Sequence, residues 1–117
     1  MIKNSILKEK YSPFTIKGVN CDLYLNPKED GEFYICDVYN FLLNGSDTKN
    51  KLISFIIKVN YPADRMDAIR NNYELVKDGI AGDKAEEYTQ EYLAMQDWRA
   101  YSKELAKEII DSKENDV

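Results

Sequence analysis

The chain has 117 residues, 44% of them apolar and 32% charged, with a formal net charge of −5. Those proportions describe a single folded domain with one core and exclude a generally disordered chain. The acidic balance weighs against non-specific nucleic-acid binding, and no apolar run approaches the roughly 20 residues that span a bilayer.

Residues 1–12 read as a lysine-rich arm in which Ile and Leu stand singly, without the continuous apolar stretch of a signal peptide. The expectation is a cytoplasmic protein with no membrane contact. Residues 14–25 read as a strand, bent at Gly18. From Val19 onward it alternates, with Val19, Cys21, Leu23 and Leu25 on one face and Asn20, Asp22 and Tyr24 on the other. Residues 26–31 (Asn-Pro-Lys-Glu-Asp-Gly) are dense in turn formers.

Residues 33–42 are apolar on both faces apart from Asp37 and Asn40, which suits a central strand. Asp37 there needs either a solvent edge or a lysine or tyrosine partner. Residues 44–47 (Asn-Gly-Ser-Asp) form a second turn. Residues 51–59 then alternate, with Ile53, Phe55, Ile57 and Val59 on a core face, so a third strand is expected. The sheet over residues 13–60 is therefore a three-stranded antiparallel meander.

At Asn60-Tyr61-Pro62 the pattern changes. Met66, Ile69, Tyr73 and Val76 recur at helical spacing, and Gly79 is the expected stop. Asp83 with Glu86 resembles a capping box ahead of a second helical stretch. Within residues 84–111, Tyr88, Tyr92 and Met95 share one azimuth, while Trp98, Tyr101, Leu105 and Ile109 share another about 100° away. The economical solution is a break near Gln96-Asp97, with Asp97 capping a third helix. The alternative is a continuous rod whose second half packs on something else, such as a second copy. Residues 113–117 read as a polar tail. The expected architecture is α+β: the meander packed against two or three carboxy-terminal helices spanning 61–112, all in one domain.

The chemistry on offer is sparse. The chain contains no histidine, which removes Ser-His and Cys-His nucleophilic machinery and the commonest general base. Cys21 and Cys36 lie in strand-like runs whose register keeps them apart, so two buried free thiols are expected rather than a disulfide or a zinc site. The five glycines are scattered singly, so there is no phosphate loop. No catalytic, cofactor or metal residue is assigned, and no enzyme activity is expected.

Charge is unevenly divided. Residues 1–60 hold eight lysines against seven acids, and residues 61–117 hold eight basic against fourteen acidic residues. Asp83, Glu87 and Glu91 line one helix face, either as a solvated surface or as an acidic stripe for a partner. Arg99, Lys103 and Lys107 form a basic line that two antiparallel copies would set against the acidic one, a route to a homodimer through the carboxy-terminal helices. Tyr24, with Asp22 and Asn20, offers a half-exposed strand face extending toward Ser54 and Lys58. The function expected is a non-enzymatic, acidic protein-interaction domain, of the kind found among inhibitors and accessory proteins of phages and mobile elements. The partner-binding candidates are Asp22, Tyr24, Ser54, Lys58, Asp83, Glu87 and Glu91. The other reading is a single-strand nucleic-acid binder using sheet aromatics with Lys17, Lys51 and Lys58.

Overall fold

A computed structural model describes residues 2–115. The fold is α+β, a four-stranded antiparallel sheet followed by three helices. The described residues form two compact units: one holds residues 2–48 together with 108–115, the other Lys49–Lys107.

The sheet has the order β1-β4-β3-β2, with β1 Ile2–Leu7, β2 Phe14–Lys17, β3 Asn20–Asp30 and β4 Phe33–Leu42. The bend expected at Gly18 is a full reversal: Lys17 pairs with Asn20, leaving a two-residue turn whose first member, Gly18, has φ 65°. Positive φ at that position is what glycine supplies without a steric penalty. Of the turn-forming stretch 26–31, the first part is instead a bulge inside β3, between Leu25 and Lys28, with Asn26 at φ 54°. Proline is tolerated there because a bulge interrupts the ladder and leaves its missing N–H without consequence. The reversal comes at Gly31-Glu32, between Asp30 and Phe33. β4 occupies an interior position, as its two apolar faces require.

Two expectations about the sheet are corrected. The arm over residues 1–12 contains an edge strand, β1, paired with β4 from Ile2 opposite Val38 to Leu7 opposite Phe33. An edge strand is held by its backbone ladder and needs little apolar sequence, so a lysine-rich stretch can supply one. Lys3 has a specific role there, placing its ammonium 3.4 Å from Asp37. The amide of Asn26 donates to the other Asp37 oxygen at 3.1 Å, so the bulge also supplies this half-buried carboxylate with a partner.

The second correction concerns residues 51–59, which are helical. Helix α1 spans Thr48–Asn60 and buries Leu52 and Ile56. The alternation Ile53, Phe55, Ile57, Val59 coexists with Leu52, Ile56 and Val59 at i, i+4 and i+7, and short apolar runs fit either period. The stretch thus belongs to the helices, and the boundary falls after Leu42 rather than at Asn60. Pro62, which cannot continue the helix, follows closely, and Arg65 caps its last carbonyl, donating to Asn60 at 2.8 Å.

Helix α2, Ala63–Lys77, buries Ile69 and ends at Gly79 as expected. Gly79 has φ 73°; its N–H donates to Val76 and that of Ile80 donates to Leu75, both at 3.0 Å. This paired pattern is a Schellman stop. A 3-10 turn, Gly82–Lys84, leads into α3, Ala85–Asn115. The capping box is not formed: Asp83 sits within the 3-10 turn, and its side chain makes no hydrogen bond among the described residues.

Nor does the chain break at Gln96-Asp97, because α3 is one helix of 31 residues. Ser102 and Ala106 are both fully buried; at about 100° per residue Ser102 falls between the two apolar sets and Ala106 within the first. They join Met95, Leu105 and Ile109 into one continuous face, while Tyr101, counted with the second set, is 41% exposed. The polar tail expected at 113–117 is helical through Asn115; residues 116 and 117 lie outside the described residues.

Within the helical unit, Trp98 of α3 donates its indole N–H to the Ile56 carbonyl of α1 at 3.0 Å. The rings of Tyr73 on α2 and Tyr92 on α3 stack with centroids 4.0 Å apart. Leu52, Ile56, Ile69, Met95, Leu105 and Ala106 are buried in this unit. In the sheet unit, Cys21, Leu23, Leu25, Leu43 and Ile109 are buried, and Lys113 donates to the Gly18 carbonyl at 2.6 Å. Among the described residues no buried side-chain nitrogen or oxygen lacks a partner.

Candidate functional surfaces

The register of the sheet fixes which side chains share a face. Cys21, Leu23 and Leu25 lie opposite Phe41, Tyr39 and Asp37 on the buried side. The other side carries Asn20, Asp22 and Tyr24 on β3, facing Leu42, Asn40 and Val38 on β4, with Ile2 beside Val38 and Thr15 beside Asp22. Asn20, Asp22 and Tyr24 thus form one face, as their alternation implies. Asn40 donates to Asp22 at 3.0 Å, and the Tyr24 hydroxyl lies 3.3 Å from that of Thr15. These contacts hold the polar groups in fixed positions. Two apolar residues flank them, Leu42 at 49% and Ile2 at 70% exposure.

One end of that face is covered. The link from β1 to β2 passes from one edge of the sheet to the other, and it carries Tyr11 onto Tyr34 with ring centroids 5.3 Å apart. The Tyr11 hydroxyl also donates to the Tyr24 carbonyl at 2.7 Å. Cys36, on the same face as Tyr34, is also buried, although it points away from the side that holds Cys21.

Both cysteines are free and buried. Burial pushes the Cys21 thiol from an ordinary 9.0 up to about 11, with Asp22 adding to the effect. Burial also raises Cys36, helped by Asp37. A thiol that holds its proton more tightly when folded contributes stability that is present below pH 9 and lost as pH rises toward 11. For Cys21 that loss is on the order of 2 kcal/mol, and Cys21→Ala should flatten the alkaline limb of a urea-denaturation series across this range. In the native protein at neutral pH a thiol reagent should label neither cysteine; denatured, it should label both.

Ser54 and Lys58 do not extend this surface. They lie one turn apart on α1, and Lys51 is on the same helix, so of the lysines suggested for strand binding only Lys17 stands on the sheet. That removes most of the charge a nucleic-acid surface there would need. Ser54 and Lys58 instead line a cavity of about 100 Å³ in the helical unit, together with Ile57, Met66, Arg70 and Arg99. All three helices contribute to it. Nothing in the sequence marks this grouping, because Lys58, Arg70 and Arg99 are far apart in the chain and converge only through helix packing.

Asp83, Glu87 and Glu91 are all exposed, and Glu87 pairs with Lys84 at 3.2 Å. Among the described residues no group of three or more Cys, Asp or Glu is placed to hold a metal ion. On an unbroken α3 the centres of the acidic and basic lines, Glu87 and Lys103, are about 160° apart. Two straight copies could therefore not set one line against the other along a single seam. Arg99, the first of the basic line, is half-buried at the cavity instead.

No helix among the described residues is long and apolar enough to cross a membrane. Compared with protein-family models, with curated proteins and with solved structures, the chain matches none.

Proposed function

We propose that this is a non-enzymatic, acidic protein-interaction domain that meets its partner through the open face of the sheet. The observation that carries the reading is the contiguity of that face: Leu42, Asn40 and Val38 run beside Asn20, Asp22 and Tyr24, with Ile2 at the margin. It combines exposed apolar groups with a tyrosine and a carboxylate held by neighbours. Interfaces are commonly built this way, an aromatic anchor amid apolar contacts and a polar rim. A partner offering a complementary lysine or arginine would meet Asp22 there. The acidity of residues 61–117 adds long-range attraction for a basic partner, as expected of an inhibitor or accessory protein acting on a nucleic-acid-binding target.

Affinity capture with the intact chain, beside Tyr24→Ala and Leu42→Asp, tests this. A stoichiometric partner bound by the parent should be lost or weakened at least about tenfold in both variants. Circular dichroism should show that both remain folded. A partner retained equally by all three chains would place the contact elsewhere.

A further inference from the structure

We propose that the cavity among Ser54, Lys58, Arg70 and Arg99 binds a phosphate-type oxyanion. Ser54 and Lys58 come from successive turns of α1, Arg70 from α2 and Arg99 from α3. Three cationic residues therefore line about 100 Å³ in a chain whose net charge is −5. Lys58 and Arg99 form no ion pair, and the Ser54 hydroxyl no hydrogen bond, among the described residues. Arg70 has only a loose contact with Asp67 at 3.8 Å. Like charges gathered without an anion disfavour one another, and a doubly charged ligand would relieve that.

Size and lining narrow the chemistry. At about 100 Å³ the cavity has room for one tetrahedral oxyanion. No aromatic ring lines it to stack a nucleobase. Guanidinium groups match phosphate oxygens in pairs, a lysine adds a point charge, and a hydroxyl donates to a further oxygen. A phosphate dianion matches three cations better than a singly charged carboxylate does. This inference shares no residue with the sheet face and does not depend on the partner reading.

The test is calorimetric titration of the intact chain with inorganic phosphate at constant ionic strength, using chloride as the control. Saturable binding with a Kd on the order of 1 mM is expected. Affinity should fall about tenfold in Lys58→Gln and in Arg99→Gln, and change far less in Lys107→Gln, whose exposed side chain lies two turns from Arg99. It should also weaken as the pH falls and the inorganic phosphate dianion takes up a proton to become the monoanion. Lys58 is exposed, so Lys58→Gln keeps the test intact if Arg99→Gln folds poorly. Phosphoserine displacing phosphate would assign the site to a phosphoryl group on another molecule; phosphate binding without such displacement would assign it to the free ion. No saturable heat beyond the chloride control, or undiminished affinity in folded Lys58→Gln, overturns the proposal.

Discussion

Gln96→Pro is expected to destabilise the protein by about 3 kcal/mol or more. The substitution removes the amide that bonds the Tyr92 carbonyl and drives the proline ring against that same carbonyl, in the interior of α3. Had the chain broken before Asp97, a proline there would have been nearly harmless. Asp97→Ala separates the two cases by its sign. As an N-cap, Asp97 would cost about 1 kcal/mol to remove. At an exposed mid-helix position, alanine should be neutral or stabilising by a few tenths of a kcal/mol. Urea denaturation of the three chains, compared at equal slope, gives both numbers.

Leu52→Ala and Ile56→Ala should each cost about 2–5 kcal/mol, because both side chains are fully buried in the helical unit and little around them can collapse into the space. Ile53→Ala and Ile57→Ala, at half-buried positions, should cost clearly less. A strand over the same residues would reverse the order, since Ile53 and Ile57 would then face the core and Leu52 and Ile56 the mixed side. The ranking of the four variants is thus a direct readout of the local period. Larger losses at Ile53 and Ile57 would be incompatible with α1.

The same two regions show where the sequence was legible. Strand β4, the reversal at Gly31, the Gly79 stop and the stripe through Met66, Ile69 and Tyr73 are readable because each depends on local chemistry: two-faced apolarity, positive φ, helical spacing. Helix α1 was not, because Ile53 to Val59 satisfies both periods and its β-branched residues favour the wrong one. The unbroken α3 is hidden because its two large apolar sets are joined by the small residues Ser102 and Ala106, which carry little hydrophobic signal. Strand β1 sets Ile2 and Ile6 on one face and Leu7 on the other, without clean alternation, and only the need of Asp37 for a cation points toward it. Of the surface residues, Asp22 and Tyr24 were placed together correctly by alternation. Ser54 and Lys58 share that surface only if residues 51–59 form a strand, and they are helical.

The pairing of Ile2 with Val38 has a practical result for anyone fishing for the partner. An affinity handle fused ahead of Ile2 would leave the protein beside the middle of the open face, next to Val38 and its neighbour Tyr24. Such a bait would screen the surface it was built to display. Where the handle is attached decides whether a capture experiment samples this surface free or obstructed.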